Sequence, residues 1–240
     1  MPDSPALSIV IPAYNEAARL PGTLERIARY LAAAPHRPVE ILVVDDGSRD
    51  ATVEAARQVA MPAGVELLVL SLGTNQGKGA AVRSGLRASR GRQVLISDAD
   101  LATPIEEVEK LLACPAEIAV GSRGVQRELI VRRQPLPRSL LGRLFNLGLR
   151  TLGLTSLSDT QCGFKLLDGE LARRLAGQLR LDGFAFDVEL LARARRAGAR
   201  IAEVPVRWYH MEDSRVHALR HGLQMLRDAL RIRWWLWLGK

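Results

Sequence analysis

A chain of 240 residues can bury one sizeable core, and the usual size of domains favours a single α/β unit over two small ones. Hydrophobic residues at 48% and charged residues at 25% exclude a disordered or fibrous chain, and two cysteines, Cys114 and Cys162, are too few for a disulfide framework or a four-ligand zinc site. The net charge of +8 divides into −3 over residues 1–120 and +11 over residues 121–240, so the second half suits nucleic acid, anionic lipid or a phosphorylated substrate without choosing among them.

The first half alternates short β-rich runs with helical patterns, the mark of a parallel sheet covered by helices. Strands are predicted at Leu7 to Ile11, Val39 to Val44, Val65 to Leu70, Val94 to Ser97 and Ile118 to Val120, each a brief apolar run ended by Gly, Pro, Asp or Ser. Leu20, Leu24, Ile27 and Leu31 recur at helical spacing between the first two. Asp50 is placed to cap a helix after the second strand. Thr103-Pro104-Ile105-Glu106 reads as a capping box opening a helix to about Leu112. From Gly121 to about Gln134 the pattern gives way to Gly, Arg and Gln, a long connecting loop. A helix near Ser139 to Leu152, a strand near Phe164 to Leu167, a helix capped by Asp168, a helix over Asp187 to Ala197 and a last strand at Ile201 to Val206 complete the core.

The domain is expected to span residues 1–210, followed at 211–240 by an amphipathic helix. In that helix Leu219, Leu223, Leu226 and Leu230 form a stripe, with Arg220, Arg227, Arg231 and Arg233 before three tryptophans. The pattern suits a bilayer interface, and a helix docked on the core or on a partner subunit is the other reading. Trp234 to Leu238 is far short of the roughly 20 residues that cross a bilayer. No charged-then-apolar signal segment opens the sequence, so a cytoplasmic enzyme, peripheral on the cytoplasmic face of a membrane, is expected.

Ligands of parallel α/β sheets sit at the carboxyl ends of the strands. Two acidic pairs fall there: Asp45-Asp46 after the second strand and Asp98-Ala99-Asp100 after the fourth. Asp98 and Asp100 are spaced to address one hard cation that also holds diphosphate oxygens, which suggests Mg²⁺ or Mn²⁺; the plain alternative is a pair of Asp residues solvating a turn. Asp45 and Asp46 can accept hydrogen bonds from a base N–H or ribose hydroxyls, or can serve a turn. Gly73 to Gly79 is not a Walker loop, because its Gly-to-Lys spacing is one residue short and Gly79 stands in place of the metal-binding hydroxyl; Val82 removes the dinucleotide fingerprint as well. Lys78 and Arg83 near phosphates, or a plain helix entry, both stay open there.

Taken in order, Pro12-Ala13-Tyr14-Asn15-Glu16, Asp45-Asp46-Gly47-Ser48, Asn75-Gln76-Gly77-Lys78-Gly79 and Asp98-Ala99-Asp100 resemble glycosyltransferase family 2. Gly121-Ser122-Arg123, Asp159 to Lys165 and Phe186 to Glu189 narrow the likeness to the polyprenyl-phosphate sugar transferases, most of all the dolichyl-phosphate β-glucosyltransferase type. The resemblance covers about Ser8 to Trp208. It implies a GT-A fold, the mostly parallel sheet of nucleotide-diphospho-sugar transferases, and inversion at the anomeric carbon. It also implies that Pro12, Tyr14, Glu16 and Asp46 frame the nucleoside, that Asp98 and Asp100 hold the metal, and that Arg123 meets phosphate. The related mannosyltransferases place Arg and Ser four residues apart in the acceptor loop, whereas here Gly142 follows Arg138 at that distance. Arg133 and Arg138 remain acceptor-phosphate candidates, Arg132 could substitute for either, and loop solvation is the alternative.

Gln161, Cys162 and Lys165 fall where the likeness expects an active-site wall; a buried Cys is usually inert packing, and Lys165 can equally face water. Asp187 and Glu189 either orient the acceptor or serve the start of their helix. His217 and His221 match no zinc-protease pattern, and His210 is assigned a structural role ahead of one at the diphosphate. The expected reaction is therefore transfer of a hexose, glucose from UDP-glucose, to a polyprenyl or dolichyl phosphate at a membrane surface. GDP-mannose as donor, a hydroxyl acceptor in a cell-envelope glycan, and a noncatalytic nucleotide-sugar-binding adaptor are its rivals. Nucleic acid is not an expected partner, since no aromatic RNA platform, zinc knuckle or recognition helix is present in the sequence.

Overall fold

The computed structural model describes residues 4–35, 38–132, 136–210 and 218–239. Five of the predicted strands are present as β1 (Leu7–Ala13), β2 (Val39–Asp45), β3 (Val65–Ser71), β4 (Gln93–Ile96) and β5 (Ile118–Ser122). Further on come β6 (Ile130–Arg132), β7 (Lys165–Asp168), β8 (Ile201–Pro205) and β9 (Trp208–Tyr209). Seven strands form one sheet in the order β3-β2-β1-β4-β7-β5-β8, and β6 pairs with β9 in a two-stranded ribbon. The large sheet is parallel except for β7, which runs antiparallel between β4 and β5. Its direction brings the entry of β7 to the edge where β4 and β5 end.

Apolar side chains cover both faces, which is why β1, β2 and β5 read as nearly continuous hydrophobic runs. On one face Ile9, Ile11, Ile41, Val43 and Leu95 meet Leu20, Leu24, Ile27 and Leu31 of helix α1 (Leu20–Ala33), the stripe predicted for it. On the other, Val10, Leu42, Val44, Val94 and Ile96 pack against α3 (Lys78–Ala88), α6 (Gly169–Ala176) and α7 (Phe186–Arg196). Each such side chain, buried, contributes about 1.5–3 kcal/mol. A third cluster joins Leu149 of α5 (Leu136–Thr151), Val188 and Ala192 of α7, and Ala229 and Ile232 of α8 (Ala218–Trp237).

Two expected caps are built differently. Ala51, not Asp50, is the N-cap of α2 (Thr52–Arg57); Asp50 accepts from the Thr52 N–H at 3.2 Å and from the Ala17 N–H at 3.2 Å, tying this turn to the one after β1. The capping box at Thr103 does not form, because Pro104 is extended and a 3-10 turn, Ile105–Glu107, precedes α4 (Val108–Leu112). The Thr103 hydroxyl lies 3.9 Å from Cys162 Sγ instead, and Glu106 pairs with Arg26. Asp168 does cap α6, accepting from the Leu171 N–H at 2.9 Å. Helix α5 begins three residues before its predicted start, with Pro137 in its first turn, where a missing N–H costs nothing.

The segment predicted as one loop from Gly121 to Gln134 contains a 3-10 turn, Arg127–Leu129, and β6. A three-residue strand is too short to show alternation, and it is stable here because Ile130 pairs with Trp208 across the ribbon. Tyr209 donates its N–H to the Ala102 carbonyl at 2.8 Å, so the ribbon is tied to the loop after β4.

Candidate functional site

The loops leaving β1 and β2 are stitched together. Asn15, in the left-handed region at φ 53°, donates its N–H to Ser48 Oγ at 2.8 Å and accepts from the Arg49 N–H at 2.7 Å; the Glu16 N–H reaches Thr52 Oγ1 at 2.8 Å. This holds Pro12, Tyr14 and Glu16, all half-buried, along the expected nucleoside side, with the Glu16 carboxylate paired to Arg19 at 3.1 Å.

Asp45 and Asp46 are both buried and serve the chain itself. Asp45 accepts from the Ser48 N–H at 3.0 Å and from Ser71 Oγ at 2.9 Å. Asp46 accepts from Asn75 Nδ2 at 3.0 Å and from the N–H groups of Gln76 and Gly77 at 2.8 and 2.9 Å, so it shapes the loop into α3. Burial raises the Asp46 carboxyl above its ordinary range in spite of those two N–H groups.

That loop seats Lys78. Gly77 has φ 114°, and a Cβ there would fall 2.3 Å from the Asp182 carbonyl oxygen, which accepts from the Gly79 N–H at 2.7 Å. Only glycine permits both the conformation and the approach. Gly77→Ala is expected to lower stability by about 1–3 kcal/mol, read as a loss in thermal midpoint. Lys78 is the first residue of α3, and Arg83 pairs with Asp182 at 2.7 Å. From that position Lys78 Nζ reaches Asp98 Oδ1 at 2.7 Å.

Asp98 is the meeting point of the site. Gly163, in the loop entering β7, lies so close that a Cβ on it would be 2.0 Å from Asp98 Oδ2. Burial opposes the Asp98 charge, but Lys78 beside it, with Lys165 and Arg123 further off, holds the carboxyl below its usual range. Asp100 is raised by burial and by the Asp98 charge; it accepts from the Ala102 N–H at 3.0 Å, with Arg19 at 4.0 Å. A narrow cleft, with room for about one water molecule, lies beside Asp98 between Ser97, Thr103, Gly163, Phe164 and Trp208. Ser97 Oγ is buried there without a hydrogen-bond partner among the described residues.

These residues fit a hard divalent cation. Two carboxylates that repel one another at a strand end gain from a shared cation, and among the described residues no group of three or more His, Cys, Asp or Glu converges, so substrate oxygens and water would complete the sphere.

Arg123, just past β5, is gripped side-on by Asp159: Nε to Oδ2 at 2.6 Å, Nη2 to Oδ1 at 2.8 Å, and its own backbone N–H to Oδ2 at 3.1 Å. Its guanidinium lies 5.2 Å from the Trp208 ring centroid, and Trp208 is 5.9 Å from His210. Burial opposes the Asp159 charge, yet Arg123 brings that carboxyl down to about 2. Asp159 was no site residue in the sequence; the fork it makes with Arg123 spans 36 positions. Arg133 lies outside the described residues, and the side chain of Arg138, on α5, does too. So do Arg132's side chain, His217 and the side chain of His221.

Lys165 does not face water. It is fully buried, bonded to the Cys162 carbonyl and to Asp187 Oδ1 at 2.5 Å. Asp187 sits inside α7, whose N-cap is Ala185, and burial raises its carboxyl even beside Lys165. Glu189 pairs with Arg193 at 2.8 Å and accepts from the Leu181 N–H at 2.9 Å, fixing the loop that seats Lys78. Cys162 is buried, and burial pushes its thiol up, away from nucleophilic use. Gln161 is half-buried, with Nε2 unpartnered among the described residues.

The fold is shared with glucosyl-3-phosphoglycerate synthase from Mycobacterium tuberculosis, solved with Mn²⁺, uridine diphosphate and glucosyl-3-phosphoglycerate. The TM-score is 0.65 at 20% identity, over 95% of this chain and 80% of that one. A seven-stranded sheet of this kind, parallel but for β7 and flanked by helices, is the GT-A fold. Residues 8–174 match glycosyl transferase family 2, and the chain belongs to that family. It is 38% identical over 246 residues to dolichyl-phosphate beta-glucosyltransferase of Drosophila melanogaster, covering 96% of this chain and 76% of the fly protein. With the Homo sapiens protein of the same name it shares 39% identity over 248 residues, again 96% of this chain and 76% of the relative.

Proposed function

We propose that this enzyme moves glucose from UDP-glucose to a polyprenyl or dolichyl phosphate with inversion at the anomeric carbon. The observation that carries the reading is the convergence on Asp98 of a lysine at 2.7 Å, a glycine with no room for a side chain, and the field of Arg123. The relatives named above, matched along nearly the whole chain, support the acceptor and the sugar.

An acceptor phosphate oxygen forms the new bond to the anomeric carbon from the face opposite the diphosphate, and the bond to the diphosphate oxygen breaks, releasing UDP. A phosphate monoester is already largely anionic near neutral pH, so no side chain is needed as base. Asp98 and Asp100 would hold Mg²⁺ or Mn²⁺, which when bound supplies positive charge to the departing diphosphate. Lys78 adds a fixed positive charge at the same edge. Arg123, with Arg133 and Arg138 of the following segment, orients the acceptor phosphate.

A panel of radiolabelled donors incubated with short polyprenyl phosphate tests this by organic-phase product. UDP-glucose should give the most. Preference for GDP-mannose would replace the donor, and product only with a sugar hydroxyl would replace the acceptor.

We place the enzyme on the cytoplasmic face of a membrane, resting on α8. Among the described residues no helix is long and apolar enough to cross a bilayer. Half of α8 docks on the core through Ala229, Ile232 and Trp235, the alternative weighed for it. The other half exposes Leu226, Leu230, Trp234 and Trp237 beside exposed Arg227, Arg231 and Arg233, an amphipathic pattern that suits anionic headgroups. The double variant Trp234→Ala, Trp237→Ala should lower partitioning onto anionic vesicles by roughly tenfold or more, since each ring removes about 1.5–3 kcal/mol of burial. Unchanged sedimentation with vesicles would overturn this placement.

A further inference from the structure

Residues 155–164, between α5 and β7, contain no helix or strand, yet they must present Asp159 to Arg123 and Gly163 to Asp98. A segment without a backbone ladder takes its shape largely from side-chain hydrogen bonds, and here two successive N–H groups, those of Ser158 and Asp159, meet one carboxylate. Glu203, at the centre of β8 and level with Val120 of β5, accepts from the Ser158 N–H at 2.7 Å through Oε2. Its Oε1 accepts both the Asp159 N–H at 2.9 Å and the Ser122 hydroxyl at 2.8 Å. Ser122 Oγ in turn accepts from the Gly124 N–H at 3.2 Å. One side chain therefore fixes the backbone on both sides of the Arg123–Asp159 fork.

We infer that Glu203 is a positioning residue for the phosphate-binding arginine, setting the Ser158–Asp159 backbone so that Asp159 grips Arg123 side-on while Trp208 bears on its face. Two of the five guanidinium N–H groups, on Nε and Nη2, go to Asp159, so the bidentate edge it grips is distinct from the Nη1 end. A carboxylate in mid-strand is a poor β-former, and an arginine held on one edge and one face loses little further entropy on meeting phosphate. The chemistry this arrangement selects is a doubly charged terminal phosphate rather than a sugar hydroxyl. The inference rests on the reading that Arg123 meets the acceptor phosphate.

Two measurements test it separately. In the first, the side-chain Nε–H signal of Arg123, identified by its loss in Arg123→Lys, is followed by NMR. It should be protected from water exchange in the wild-type chain and in Glu203→Gln, which keeps one acceptor oxygen. In Glu203→Ala it should exchange at least tenfold faster. Equal protection in the alanine variant overturns the inference whatever the acceptor proves to be.

In the second, initial rates with UDP-glucose and short polyprenyl phosphate are fitted for Glu203→Ala, Arg123→Ala and the double variant. Glu203→Ala should raise KM for the lipid phosphate roughly tenfold or more with KM for UDP-glucose unchanged, Glu203→Gln should recover part of the loss, and the double variant should be no worse than Arg123→Ala. Additive losses overturn the inference. An exchange result as expected together with unchanged lipid-phosphate KM in Arg123→Ala removes the phosphate role of Arg123 and leaves Glu203 as its anchor.

Discussion

Asp98→Asn is expected to cut glycosyl transfer about a thousandfold, roughly 4 kcal/mol of transition-state stabilisation. Asparagine keeps the shape of the side chain and an oxygen for Lys78, 2.7 Å away, so the change isolates the charge. Gly163 leaves no slack for the side chain to swing elsewhere. The loss should lie in kcat more than in donor KM, because charge on the diphosphate grows as its bond to the sugar breaks. Initial rates at saturating donor and Mn²⁺ give the answer, and a variant within tenfold of wild type would remove the assignment of Asp98 to the leaving group.

The largest stability effect is expected at Lys165. Its ammonium is fully buried, and Lys165→Met strands the Asp187 carboxylate in the core beside α7. Breaking one side of such a pair costs about 3–5 kcal/mol. For a chain of this size each kcal/mol moves the thermal midpoint by about 2–4 °C, so a fall of roughly 6–20 °C should be seen by calorimetry. Lys165→Met combined with Asp187→Leu should recover much of it, because the stranded charge is then gone. A single variant melting with wild type would show that the pair carries no such weight.

Most of the fold could be read from residues, for a definite reason. In β1, β2 and β5 almost every side chain is buried on one face or the other, so burial wrote itself into nearly continuous apolar runs, interrupted by the buried Ser8 and Glu40. The place of β7 could not be read. A strand near Phe164 to Leu167 was legible, one residue ahead of β7, but nothing local says that it enters antiparallel between β4 and β5. The ribbon of β6 and β9 is too short to carry a period, and the Thr103 capping pattern lost to an extended Pro104.

At the site, the acidic pair after β4 was legible because it ends a clear strand. The partners of the other charges were not: Asp46 finds its donors at Asn75, Gln76 and Gly77, Lys165 finds Asp187, and Arg123 finds Asp159, all set by chain crossings with no local signature. The general lesson concerns polar residues inside an α/β core, where composition announces that a charge exists and only topology says which one answers it.

Helix α8 is not a loose appendage. The Trp235 ring lies 5.5 Å from the Arg180 guanidinium, and the Arg180 N–H is bound by Glu189 at 3.0 Å, in the turn whose Asp182 carbonyl receives the Gly79 N–H at the entry of α3. The Trp235 side of this helix is therefore packed against the same turn that fixes the start of α3, where Lys78 stands.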